Sequence, residues 1–240
     1  GAGDTNPADW RKHIVPYWIE YFFKDPRYLK IAGQPVLSIY YPANFQRDFG
    51  GAPRCRQALD ILRTQCRQAG LPGVLVLMEL RNADAGVMQQ MKAMGVDYCY
   101  AYTWGTPDAE VQRARNTAQR AAAEALGFRS LTSLSMGWDR EAWGVKEGGW
   151  LPVQDYRALA QWARDDFMPT LPADSLGRRF VMLANWNEFG EGHFIMPSNL
   201  AGFGYVHALR DVFCDGDGDG EGGPHTDLVP DHSQKRRFNV

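Results

Sequence analysis

Cysteine is scarce in this chain, and no two of its four cysteines stand in a spacing that suggests joint chemistry. Cys55, Cys66, Cys99 and Cys214 form no CxxC pair, so no zinc ribbon or thioredoxin-type redox motif is present. Cys55 and Cys66 fall on one predicted helix, about three turns apart and too far to bridge each other. The thiols therefore leave the compartment open. Long apolar runs are lacking too. No stretch reaches the roughly 20 residues of a membrane-spanning helix, and no signal peptide is legible. An excess of one charge is also missing. Lys and Arg total 26 against 28 Asp and Glu, a formal net charge of −2, so no basic surface advertises nucleic acid. No GxGxxG and no GxxxxGKS/T follows the first predicted strand, which argues against the rival doubly wound nucleotide fold. An initiator methionine is absent as well. The chain opens GAGDTNPADW, and a further N-terminal segment of the same protein is expected.

What is present is apolar and aromatic. At 45% hydrophobic residues the chain can bury a real core, so global disorder is not expected. Eight Trp, ten Tyr and twelve Phe are generous; about half are expected simply to fill a bulky core, and aromatics outside a core often stack on flat ligands, sugars included. The informative stretch is residues 179–197, RFVMLANWNEFGEGHFIMP. Residues 180–184 read as a buried strand, although so short an apolar run is also compatible with helix. The character then changes abruptly. Asn185, Trp186, Asn187, Glu188, Glu191 and His193 crowd into nine residues, punctuated by Gly190 and Gly192. Ionisable groups at the carboxyl end of a buried strand mark the functional face of an α/β fold. Gly190 is expected to supply the tight turn that lets both acids point into one cavity.

Taken in order, residues 9–24 predict a helix capped by Asp9. Its core-facing stripe is Trp10, His13, Ile14, Tyr17, Trp18, Tyr21 and Phe22, with a kink at Pro16. A loop follows, then a strand over 36–41. Further helices are expected over 52–69, 86–94, 106–126 (capped by Thr106), 155–168 and 204–213. Further strands are expected over 74–80, 96–104 and 130–135. With 180–184 this makes five strand–helix units, which imply a parallel sheet with helices outside. In a barrel the strand ends would present Tyr40, Tyr41, Glu79, Tyr102, Trp104, Trp138 and Asp139, then Asn187, Glu188 and Glu191. Glu79 is conspicuous, because an acid in an apolar run is expensive unless paired or functional. Five units do not close an eight-unit barrel and would leave two open edges. The expected fold is thus α/β of the (β/α)8 TIM-barrel type, with this chain carrying about the last five units. About three more belong upstream or on another chain. Residues 1–213 would form the catalytic barrel portion and 214–240 an Asp/Gly-rich tail. In that tail Asp215, Asp217 and Asp219 match the start of a calcium loop, but Thr226 stands where the bidentate acid belongs, so a solvated linker is the stronger reading. No other cofactor or metal is expected.

Two carboxylates beside an aromatic-lined cavity are the minimal kit for cleaving a glycosidic bond. One donates a proton to the leaving oxygen while the other, ionised, acts as base or nucleophile. The same acids would equally serve to cap a turn or pair with arginine. Asn187 could hold a carboxylate or a sugar hydroxyl. His193 is as fit for a structural hydrogen bond as for substrate binding.

The segment NWNEFGEGHFIMPS resembles the signature of the glycoside hydrolase family 99-like (WbsX-type) domains, a pattern close to WNEWxEGxxxEPS. Three more segments are similar to the same family: PYWIEYFFKDPRYLKIAGQPVLSIYYP, MGWDREAW and GYVHALRDVF. The resemblance implies a (β/α)8 barrel acting on a carbohydrate substrate, with the two motif glutamates as the catalytic pair. By position, Glu188 would help a sugar 2-hydroxyl attack its own anomeric carbon, and Glu191 would be the general acid and base. Phe189 stands in place of the usual Trp, Gly190 in place of the family 99 His, and Met196 where Glu usually precedes Pro. The alternatives to a glycosidase are a polysaccharide-biosynthesis glycosyltransferase and a non-catalytic glycan-binding barrel.

Overall fold

The computed structural model describes residues 6–146 and 148–214. The tail, including the calcium-loop candidates Asp215, Asp217 and Asp219, lies outside the described residues. The chain divides into two compact units. One comprises the residues up to Tyr102 together with Thr117–Leu131; the other comprises Thr103–Asn116 and the residues from Thr132 onward.

The first unit is built on a four-stranded sheet in the order β1 (Lys30–Ile31), β2 (Gln34–Ile39), β3 (Leu75–Glu79) and β4 (Tyr98–Tyr100). β2, β3 and β4 run parallel, in the register Ile39↔Met78 and Glu79↔Tyr100. The expected 36–41, 74–80 and 96–104 strands are therefore present, but the last is only three residues long. β1 pairs antiparallel with β2, where a loop was expected. The two-residue turn between them places Ala32 and Gly33 at φ 49° and 77°, the left-handed pair a tight hairpin requires.

Helix Ala52–Gln68 buries Cys55, Ala58, Leu59, Leu62 and Cys66, a stripe at helical spacing. Helix Ala85–Met94, capped by the Asp84 carboxylate, buries Met88, Met91 and Met94. These pack with Val76 and Met78 into one cluster, where each fully buried side chain contributes about 1.5–3 kcal/mol. The thiols belong to this packing. Burial pushes Cys55 and Cys66 up to about 11 and Cys99 up to about 12, so they stay protonated and act as small hydrophobes. An additional helix, Pro42–Phe49, begins three residues after β2 ends, with Pro42 in its first turn.

The N-terminal helix departs from expectation in three ways. Its cap is Asn6, whose side chain accepts from the amides of Ala8 and Asp9, rather than Asp9 itself. Around Pro16 it alternates α turns with the wider π turns Trp10–Ile14 and Ile19–Phe23. Each π turn takes in an extra residue, so the buried face becomes Trp10, Val15, Ile19 and Phe23. Tyr17, Tyr21 and Phe22, expected inside, are exposed.

The second unit holds the parallel pair β5 (Thr132–Ser135) and β8 (Val181–Ala184) and two antiparallel hairpins. These are β6 (Gly137–Asp139) with β7 (Gly148–Trp150), and β9 (Asn187–Glu188) with β10 (His193–Phe194). The Gly- and Trp-rich stretch 143–150 reads as loop in the sequence, and β7 falls within it. Helices Val153–Trp162 and Gly204–Phe213 pack on each other through Leu159, Ala160, Tyr205, Ala208 and Val212, and Arg157 pairs with Asp211 at 2.6 Å. β8 is less buried than expected. Val181 and Met182 are half-buried and Leu183 is 43% exposed, because among the described residues β8 has a strand on one edge only.

β5 is served on its other side by side chains. The buried amides of Gln112 and Asn116, one turn apart on helix Ala109–Ala125, each bond both polar groups of one β5 residue. Asn116 accepts from the Ser133 N–H at 3.0 Å and donates to the Ser133 carbonyl at 3.0 Å; Gln112 does the same for Ser135, at 3.1 and 2.8 Å. Residues 133 and 135 turn the same edge outward, and an i, i+4 pair matches that repeat. The helix is capped by Asp108, which accepts from Val111 N–H at 3.0 Å, and not by Thr106. Asn116→Leu should strand the Ser133 amide proton and cost about 2–3 kcal/mol. Urea unfolding checks this: the midpoint should fall at unchanged slope, and a shift equivalent to less than about 0.5 kcal/mol would contradict the clamp.

Candidate functional site

In the second unit the signature residues form the β9–β10 hairpin. Glu188 lies opposite His193 and Asn187 opposite Phe194. The loop between them is the short helical turn Phe189–Glu191 followed by Gly192. The approach is anchored on both sides of Trp186, since Ile195 N–H donates to the Asn185 carbonyl at 2.7 Å and Met196 N–H to that of Trp186 at 2.9 Å. The Asn185 side-chain amide donates to the Glu188 carboxylate. The peptide bond preceding Asn185 is cis. Glu188 and Glu191 are both half-buried, and Asn187 is exposed.

Gly192, and not Gly190, makes the turn possible. Gly192 adopts φ +57°, and a Cβ on it would meet the Asp139 carbonyl oxygen at 2.2 Å, whereas a Cβ on Gly190 would meet nothing within 4 Å. The Gly192 carbonyl accepts two bonds, from Asp139 N–H at 3.2 Å and from the Trp150 indole at 2.7 Å. Trp138 and Asp139, on β6, are thereby held to the same turn as Glu191. Both are half-buried, and Arg140 lies over the Trp138 ring at 5.5 Å.

Two residues expected at the substrate lie inside this unit instead. His193 is fully buried, with its Nε2 3.4 Å from the Ser135 hydroxyl, which is itself 2.8 Å from that of Thr103. Trp104 is 3% exposed and its indole donates to the Ser133 carbonyl at 3.1 Å. Both bond to β5 from buried positions and do not line a surface. Trp104 falls in the segment past the short β4.

In the first unit, Tyr40, Tyr41, Glu79 and Tyr102 gather at the carboxyl ends of β2, β3 and β4. A residue missed in the sequence joins them. Arg81 donates from Nε to Glu79 at 2.8 Å and from Nη2 to the Tyr40 hydroxyl at 2.6 Å, and its guanidinium lies over the Tyr102 ring at 5.2 Å. Tyr40 packs edge-on to Tyr102 at 4.9 Å and to Tyr41 at 5.6 Å. Behind them the Ser38 and Tyr100 hydroxyls stand 2.5 Å apart. Burial raises the Glu79 carboxyl above its ordinary range, against the pull of Arg81. The one available signal for Arg81 was the acid in an apolar strand, which demands a partner. Asn185, the partner of Glu188, was likewise passed over as a ligand for it. Among the described residues no group of three or more His, Cys, Asp or Glu could hold a metal ion, and no helix is long and apolar enough to cross a membrane.

The glycines offer a direct check. Gly192→Ala should destabilise by about 2 kcal/mol or more through left-handed backbone and the carbonyl clash, while Gly190→Ala should stay within about 0.5 kcal/mol. Thermal unfolding of the two variants measures this, and equal midpoints would contradict it.

Residues 3–127 match the family model described as "Glycosyltransferase WbsX". That span contains the DPRYLK segment and ends before the segments around Trp138, Glu188 and Tyr205. No curated protein matches the chain. Two solved structures are similar in fold. One is the glycoside hydrolase family 99 endo-α-mannosidase from Bacteroides thetaiotaomicron in complex with bis-tris-propane, with TM-score 0.57 and 15% identity, covering 87% of this chain and 65% of that one. The other is a structure of the family 99 endo-α-mannosidase from the same organism, with TM-score 0.51 and 14% identity, covering 88% and 62%. The chain thus spans a little under two thirds of the length of either neighbour, and at these identities the likeness is one of fold. The matched family span takes in more than half of the 240 residues, and the chain belongs to the WbsX family.

Proposed function

We propose that the chain is the catalytic portion of a glycoside hydrolase, carrying about the last five units of a (β/α)8 barrel. The carrying observation is that Glu188 and Glu191 stand three residues apart on one hydrogen-bonded hairpin directly after β8, with Asn185 orienting the first of them. In this reading Glu188, ionised, accepts the proton of a sugar 2-hydroxyl as that oxygen attacks the neighbouring anomeric carbon. Glu191, protonated, donates to the departing oxygen; it then takes a proton from the water that attacks the anomeric carbon, the bond from the 2-oxygen breaks, and Glu188 returns its proton to that oxygen. In the second unit Asn187, Trp138 and Asp139 are the proposed sugar contacts; in the first they are Tyr40, Tyr41, Glu79 and Tyr102. Residues 1–213 are the proposed barrel portion and 214–240 the tail. The open edge of β8 supports the fold assignment. A groove of about 820 Å³, lined in part by Phe180, Val181, Leu183, Leu209 and Phe213, lies beside it, and parallel strands are normally covered on both faces. Strand–helix units of the same barrel type would cover it.

Glu188→Gln and Glu191→Gln should each lower turnover of α-mannan oligosaccharides, or of whichever glycan a product-analysed screen selects, by about 10²–10⁴-fold. The unfolding midpoint should be unchanged. Wild-type rates in both variants would end this reading. The second reading is a glycosyltransferase, favoured by the description of the matched family; it requires a nucleotide-sugar donor, and the same product analysis with and without donor separates the two.

A further inference from the structure

The cluster at the ends of β2, β3 and β4 has no part in the proton transfers above. Its electrostatics point to selectivity. Arg81 is fastened on three sides, to the Glu79 carboxylate, to the Tyr40 hydroxyl and over the Tyr102 ring. The Glu79 side chain is only 12% exposed and that of Arg81 37%, so the pair sits at the mouth of the cluster with the acid behind the base. Tyr40 and Tyr41 are 43% and 58% exposed, and the Arg81 guanidinium also lies over the Tyr40 ring at 5.7 Å, which leaves Tyr41 as the more open ring.

An arginine beside exposed aromatic rings would ordinarily attract a sugar carboxylate. Here its charge is already matched. A second carboxylate at the same guanidinium would face Glu79 as a like charge in a partly desolvated place. A neutral hexose brings no such repulsion. Its hydroxyls both donate and accept, and the Glu79–Arg81 pair offers an acceptor and a donor side by side, next to rings on which a sugar face can stack.

We propose that Glu79, by compensating Arg81, makes this cluster a subsite that selects neutral over acidic sugar rings. The proposal rests on the glycan reading above but not on the roles given to Glu188 and Glu191. Calorimetric titration of the protein with α-mannobiose and maltose as neutral probes and digalacturonate as the acidic one tests it. The wild type should favour a neutral probe. Glu79→Gln should shift the ratio of affinities toward digalacturonate by roughly tenfold or more, the weight of one interaction with a charged group. Arg81→Met, which leaves Glu79 uncompensated, should shift the ratio the opposite way. Structural damage alone would weaken all probes together and leave the ratio in place. Unchanged ratios in both variants, or a wild type that favours digalacturonate, would overturn the proposal while leaving the hydrolase reading standing. Failure of the wild type to bind any probe would overturn this subsite, and loss of turnover in Glu188→Gln would still be read separately.

Discussion

One carbonyl, that of Gly192, receives the bonds on which the candidate acids depend. A backbone amide from β6 and an indole from β7 both donate to it, and they reach it because residue 192 has no side chain in the way. The hairpin that supplies these donors is closed by the same device. A Cβ on Gly137 would lie 2.2 Å from the Gly149 carbonyl oxygen, and one on Gly148 would lie 2.1 Å from that of Trp138. Backbone therefore packs on backbone across both hairpins of the second unit. Acids withdrawn part-way from water lose solvation, and a paired backbone holds them in place better than an open loop does.

The same unit solves a second problem of polar groups. A strand partnered on one edge leaves amides and carbonyls that must find bonds. Along β5 the amide side chains of Gln112 and Asn116 supply them, in the repeat that another strand would use. Among the described residues β8 has no such clamp, and Val181 and Leu183 line a groove. The β5 edge is thus served by side chains of its own unit.

The sequence made β2, β3 and β4, β5 and β8, and most of the helices legible because their runs are short and most have Gly or Pro close by. It also pointed to the acid pair, since Glu188 and Glu191 follow such a run directly. What it did not disclose depends on backbone geometry or long-range pairing. The π turns around Pro16 moved Tyr17, Tyr21 and Phe22 out of the core, and no side-chain periodicity announces an inserted residue. The β6–β7 hairpin uses glycines for close approach, and the same glycines read locally as loop. His193 and Trp104 are buried against partners on β5, Ser135 and Ser133, that are distant in sequence and that residue type does not encode. Arg81 was hidden because its importance comes from Tyr40, 41 positions away, and from Tyr102.

The matched family's description names a transferase where the proposed reading is a hydrolase, and the charge on the β9–β10 hairpin bears on the choice. A transferase using a nucleotide sugar must accommodate a diphosphate leaving group, which is best held by amide-rich helix N-termini or by cations. The hairpin instead presents two acids within four residues, with an asparagine amide directed at one of them. Bringing a diphosphate to that place adds negative charge where negative charge already stands. Hydrolysis brings only a neutral sugar and water, and a pair of carboxylates that exchange protons with them has the chemistry it needs. The two acids of this hairpin thus suit the proposed hydrolysis better than a nucleotide-sugar donor.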